Sequence, residues 1–220
     1  MKKTIFIFLF ILTFLSIIIN KNQLNTEVTK TKTTKTLVAT KTSNNNDIIG
    51  HIEIPNTNID YDIVQTTNNE YYLNHNLDNE IDPTGSIFVD YRNNLSDKKL
   101  LIYGHNSKKQ KAPLKDLELY LNYDSFINNN IINLTLKNKA YTYKIFSVML
   151  IDKDNNYHTK LIFKDSEYEE HLFFLKTSSI YENDVQVDKN SYILTIQTCY
   201  YYPRETFLLI NAKRSQDEKK

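Results

Sequence analysis

Only one cysteine and three glycines occur in the 220 residues. A lone thiol cannot form a disulfide within its own chain. Cys199 is therefore an intermolecular partner, a free reactive thiol or a small buried hydrophobe. The scarcity also removes C-x-x-C metal motifs, and H-E-x-x-H is absent too. Without more glycine there is no G-x-G-x-x-G or Walker phosphate loop and no G-x-S-x-G nucleophile elbow. Asp152-Lys153-Asp154-Asn155-Asn156 begins like a calcium loop, but Tyr157 stands where its turn needs glycine. No metal or other cofactor is expected. Excess charge of one sign is missing as well: 27 Lys and Arg face 26 Asp and Glu. With no basic patch interleaved with aromatics, nucleic acid is not an expected partner. Motifs do not decide on a paired-carboxylate glycosidase, because such pairs are assembled in three dimensions.

What is present divides the chain. Met1-Lys2-Lys3 precedes an apolar run from Ile5 to Ile19, broken only by Thr13 and Ser16. A spanning helix takes about 20 residues, with a lower limit of about 17. No small-x-small cleavage site follows, so residues 1–19 read as a retained signal-anchor. Lys2 and Lys3 place its short tail inside, with Lys21 working against that bias. The expected location is the cell membrane, single-pass, with everything after the anchor outside. Residues 20–46 are rich in Thr, Lys and Asn and read as a flexible extracellular spacer. Their lysines could equally lie against anionic lipid or wall polymer. Residues 47–214 have globular composition, and 215–220 form a charged tail.

The domain carries short β-branched and aromatic runs between turn signals. Runs at Ile48–Ile54, Ile59–Val64, Ser86–Val89, Leu100–Tyr103, Ile131–Lys137, Tyr141–Ile151, Tyr192–Cys199 and Phe207–Lys213 give about eight strands. Asn138-Lys139 marks a hairpin turn. Pro113 to Asn128 suggests two short helices. Ser166-Glu167-Tyr168-Glu169 reads as a capping box opening a helix to about Lys176, with Tyr168, Leu172 and Leu175 on one face and His171 in solvent. The expected fold class is mainly β: a closed or nearly closed barrel with added short helices.

Cys199 ends the strand pattern Ile193 to Cys199, where a sheet hands a side chain to a surface cleft. A cationic neighbour would lower its pKa and favour the nucleophilic thiolate. Of the histidines, His105 stands out, because a strand and Gly104 deliver it. His51 reads as a strand member, His158 as a loop residue, and His75 is ambiguous. Of the arginines, Arg204 follows Cys199 after a Tyr-rich loop. It is either an exposed loop residue or a donor fork for a developing oxyanion. Arg92 reads as a structural ion pair near a turn, and Arg214 as a solvated tail residue.

These segments together resemble the sortases, cysteine transpeptidases of Gram-positive cell surfaces. Thr195-Ile196-Gln197-Thr198-Cys199 is similar to their T-L-x-T-C signature, and Tyr103-Gly104-His105-Asn106 to their histidine segment. Gly50 to Pro55, Asn69 to His75 and Gly85 to Asn93 resemble class B blocks in the same order. The helix expected between the sixth and seventh strands is similar to the class B insertion.

The resemblance implies an eight-stranded sortase barrel with Cys199 as nucleophile and His105 as general acid/base. Arg204 is assigned the arginine role. The register of that arginine falls on Phe207, three residues later, and a three-residue offset reverses facing on a strand. Either the loop swings Arg204 in or its role is weakened. The blocks imply substrate-binding roles for Asn69, Leu73, Tyr103, Gln197 and Thr198. The implied partners are surface proteins bearing a C-terminal sorting motif, cleaved after Thr, and a peptidoglycan-precursor amine as acceptor. A pilin-polymerising sortase, a surface cysteine protease and a non-catalytic adhesin are the alternatives.

Overall fold

Eight strands form where the β-branched and aromatic runs lie. They are β1 (Ile48–Glu53), β2 (Asp60–Val64), β3 (Ile87–Val89), β4 (Lys99–Tyr103), β5 (Ile131–Leu136), β6 (Lys139–Ile151), β7 (Ile193–Tyr200) and β8 (Thr206–Arg214). They close into a barrel in the order β1-β2-β3-β4-β7-β8-β6-β5, with β5 returning to β1. The β2–β3 and β4–β7 pairs are parallel. The other pairs are antiparallel. This computed structural model describes residues 45–108 and 111–215. The signal-anchor, nearly all of the spacer and most of the charged tail lie outside the described residues. Among the described residues, no helix is long and apolar enough to cross a membrane.

Two layers of apolar packing explain the sequence pattern. β5 alternates, sending Ile132, Leu134 and Leu136 into the barrel. There they meet Ile52, Ile63, Ile102, Ile196 and Ile210. β6 instead has an unbroken buried stretch, because its outer face is covered too. The cover is the helix between the sixth and seventh strands. With α1 (Tyr123–Asn128) as the first helix, this is α2 (Asp165–Thr177). Tyr168, Leu172 and Leu175 of α2 pack on Phe146, Met149, Ile193 and Leu209. Burying each such apolar side chain stabilises by about 1.5–3 kcal/mol.

Several local expectations shift. The β5–β6 turn is Lys137-Asn138, one residue before the expected pair, with φ of 45° and 66°. Two positive φ values suit the twist of a two-residue hairpin. α2 starts at Asp165, not after Ser166. The Lys164 N–H donates to Glu167 Oε2 at 3.0 Å, so the first-turn carboxylate caps two residues earlier than expected. The Pro113–Asn128 segment holds a 3-10 helix at Lys115–Leu121 and then α1. Arg214 is not a solvated tail residue. It ends β8 with its guanidinium 3.8 Å from the Tyr192 ring centroid.

His171 is fully buried rather than exposed. Lys99, buried at the start of β4, explains why an imidazole can sit there. Its ammonium donates to His171 Nε2 at 2.9 Å, to the Lys160 carbonyl at 3.0 Å and to the His158 carbonyl. All three ammonium protons thus have acceptors. Burial pulls the Lys99 pKa down to about 7, and burial beside Lys99 keeps His171 neutral.

Candidate active site

Cys199 and His105 come together because their strands are parallel neighbours. The β4–β7 register pairs Tyr103 with Gln197. Beyond that pair, the turn carrying His105 stays alongside the end of β7 that carries Cys199. Two hydrogen bonds fix this extension beyond the ladder. Thr198 Oγ1 donates to the Gly104 carbonyl at 2.7 Å, and Asn106 Nδ2 donates to the Cys199 carbonyl at 2.9 Å. Gly104 lets Leu114 approach closely: a Cβ there would stand 2.8 Å from Leu114 Cδ1, so that side chain would have to shift.

The imidazole has its own support. His105 Nε2 lies 2.7 Å from the Leu73 carbonyl. A carbonyl only accepts, so Nε2 carries the proton of this bond. Leu73 ends a 3-10 turn, Tyr71–Leu73, that folds closely over Gly85. Gly85 has φ 57°, and a Cβ there would lie 2.4 Å from the Tyr72 oxygen and 2.7 Å from the Leu73 oxygen. The carbonyl that orients His105 therefore depends on a glycine twelve positions away in sequence.

The residues expected to bind substrate divide into two groups. Leu73, Gln197 and Thr198 flank the Cys199–His105 pair. Leu73 is 40% exposed, while Thr198 is buried and acts on the Gly104 turn. Gln197 Oε1 accepts from His158 Nε2 at 2.6 Å. His158 is itself buried, and burial lowers its pKa. Asn69 and Tyr103 converge elsewhere, on the buried Asp90. Asn69 Nδ2 donates to Oδ2 at 3.1 Å, and the Tyr103 hydroxyl to the same oxygen at 2.9 Å. Arg92 closes the cluster with a fork, Nε to Oδ1 at 2.9 Å and Nη2 to Oδ2 at 2.7 Å. Desolvation would raise the Asp90 pKa, but these donors hold it below the usual range.

Arg204 points to a different partner. Its Nη2 lies 2.7 Å from Asp152 Oδ1, with the arginine side chain 72% exposed. The groups acting on the thiol are others. Burial raises the Cys199 pKa; Lys153 and the Tyr201 hydroxyl pull it down, and Glu205 pushes it up. Tyr201 in turn donates to the Asn106 carbonyl at 3.1 Å. Sequence reasoning missed Asn106, Tyr201 and Lys153. Asn106 sits directly after the histidine and Tyr201 two residues after the cysteine, so adjacency was an available signal for both. Lys153 has no such signal, because only strand pairing brings it near.

Burial thus favours the protonated form of the resting thiol. Since the thiolate is the nucleophile, alkylation of Cys199 by iodoacetamide should be slow at pH 7 and still be rising above pH 9.0, the ordinary thiol value here. A rate already saturated below pH 8 would contradict this. A separate cavity of about 680 Å3, lined by Leu172, Phe173, Tyr181 and Val187, includes neither Cys199 nor His105. Among the described residues, no group of three or more His, Cys, Asp or Glu could hold a metal ion.

Comparison with known proteins gives consistent matches. The family model for the sortase domain matches residues 52–214. Sortase B of Listeria monocytogenes is 36% identical over 157 residues, 70% of this chain. The chain spans 63% of the length of that curated relative. The crystal structure of Clostridium perfringens sortase B superposes with a TM-score of 0.74 at 32% identity, covering 77% of this chain and 94% of that one. A Staphylococcus aureus sortase B–substrate complex superposes with a TM-score of 0.72 at 29% identity, covering 79% of this chain and 82% of that one.

Proposed function

The chain belongs to the sortase family, with class B members among its relatives, and from that premise we propose that it is a cysteine transpeptidase acting on C-terminal sorting motifs. The observation that carries the proposal is the pair of bonds, Thr198 to the Gly104 carbonyl and Asn106 to the Cys199 carbonyl, that ties the end of β7 carrying a free cysteine to the turn carrying His105. A substrate complex of a similar sortase B supports a peptide as the ligand class.

The chemistry follows from the groups present. His105 Nδ1 accepts the thiol proton, and the Cys199 sulfur attacks the threonine carbonyl of the sorting motif. The tetrahedral oxyanion is met by backbone N–H groups at the strand ends. As the C–N bond breaks, the imidazolium returns its proton to the leaving amine, and a thioester remains on Cys199. An amine from a cell-wall precursor then attacks the thioester, with His105 taking its proton; the C–S bond breaks, and the imidazolium returns that proton to the Cys199 sulfur. Leu73 and Gln197 are proposed to wall the peptide groove. Thr198 supports it from below, and Asn69 and Tyr103 support it from behind through Asp90.

Incubating residues 45–215 with a sorting-motif peptide library and triglycine, read by mass spectrometry, tests this. The expected products are a peptide cleaved after threonine and its triglycine conjugate. Cleavage without conjugate would make the protein a protease. A lysine-linked product formed in preference to the triglycine one would make it a pilin polymerase. Neither an adduct on Cys199 nor any product would leave an adhesin.

The catalytic domain is proposed to be held outside the membrane by residues 1–19. In support are the apolar run Ile5–Ile19 and the preceding Lys2 and Lys3. Membrane fractions should contain the protein with its N-terminal peptide intact. A mature N-terminus within residues 20–46 would overturn retention.

A further inference from the structure

Strand pairing places three side chains in one row. Ile151 of β6 pairs with Phe207 of β8, and Phe207 pairs with Cys199 of β7. Directly opposed residues on antiparallel strands face the same way. Lys153 lies in the turn two residues after Ile151, and Glu205 in the loop two residues before Phe207. Lys153 Nζ lies 2.9 Å from Glu205 Oε2 and 5.9 Å from the Phe207 ring centroid. Arg204 is three residues from Phe207 and is paired instead with Asp152, which is one residue past Ile151. Lys153 thus pairs with Glu205 over Phe207, while Arg204 is engaged with Asp152.

We propose that Lys153 is the cation of the reacting centre, held over Phe207 beside Cys199, and that Glu205 opposite it tempers that charge. The proposal deepens the transpeptidase reading, resting on Cys199 as its nucleophile. Lys153 acts through space on the sulfur rather than by touching it, so it is a positioning residue for charge. The direction of its influence on the thiol agrees with this geometry. Other titratable groups around the thiol are Tyr201 from the β7–β8 loop and His105 from the turn after β4. Further described groups nearby are Lys108, whose ammonium lies 4.5 Å from the Tyr202 ring centroid, Glu118, bonded to Asn106 at 2.6 Å and paired with Lys115, and His158, with ring centroid 6.1 Å from that of Phe207. Lys153 and Glu205 form the ion pair over Phe207, the strand partner of Cys199.

The test follows the pH dependence of Cys199 alkylation by iodoacetamide in the full-length protein, read by intact mass. It needs no sorting peptide, so a failed transpeptidase assay and a failed charge assignment are separable. Lys153→Met should slow alkylation at pH 7 by about two- to fivefold, the range for one partly exposed charge, and move the midpoint upward. Glu205→Gln should move it downward, and Lys153→Arg should keep the wild-type profile. Raising salt to 1 M should shrink the Lys153→Met difference, because the charge acts from an exposed position. Unchanged melting of Lys153→Met would separate the effect from misfolding. A midpoint that is unchanged or lowered in Lys153→Met, or that rises in Glu205→Gln, overturns the proposal. So does an upward shift in Arg204→Ala with none in Lys153→Met.

Discussion

Replacing Cys199 by alanine is expected to abolish both the thioacyl adduct and every product, a loss on the order of a millionfold in turnover. The expectation rests on Cys199 being the chain's only thiol, so no second sulfur can substitute. Cys199→Ala should also fold normally. The Cys199 side chain is only partly buried, while the bond that ties the strand end together is made by its carbonyl to Asn106. Intact mass after peptide addition reads the adduct, and thermal melting reads the fold. Appreciable conjugate formation by Cys199→Ala would remove the covalent mechanism altogether.

His105→Ala should reduce the rate by roughly two to four orders of magnitude, the usual contribution of one positioned acid/base. Its cost in stability should be small, about 0.5–1.5 kcal/mol for the lost bond to the Leu73 carbonyl. His75 is the informative control. It stacks on Tyr71 with centroids 4.1 Å apart, and its Nδ1 lies 2.8 Å from the Tyr71 carbonyl. Both contacts commit it to its own turn, so His75→Ala should leave turnover close to wild type. Single-turnover rates with a fixed peptide measure the two variants side by side. A large loss in His75→Ala with little in His105→Ala would reverse the assignment.

The barrel was legible in the sequence, and so was the position of Cys199 and His105 at its strand ends, for a shared reason. Short apolar runs ending in a turn identify strands, and both Cys199 and His105 sit at strand ends within such runs. The charge beside the thiol was not legible, because it depends on which strands pair and in what register. Arg204 is close to Cys199 along the chain but is turned to Asp152, whereas Lys153, 46 positions away, lies across the sheet from it. His171 shows a different limit. Residues 168, 171, 172 and 175 follow the i, i+3, i+4, i+7 spacing of one helix face, so the period itself places His171 inward. Its polarity argued for solvent. What reverses that is Lys99, a residue 72 positions earlier that donates to the buried ring. A polar residue on an apolar stripe can be read correctly only when its partner is known.

The bonds that seat the nucleophile beside the histidine join residues 94 and 93 positions apart. Contacts of such long sequence separation carry a large loop-closure entropy and slow the folding of β structures. The parallel β4–β7 pairing also cannot be nucleated by a tight hairpin, and α1, β5, β6 and α2 all lie between its strands. Competence for chemistry is therefore a product of the finished barrel. A partly folded chain carries an ordinary thiol at one strand end and an ordinary imidazole at another, with no means of attacking a peptide. Completion of folding and acquisition of the proposed reactivity thus become one event.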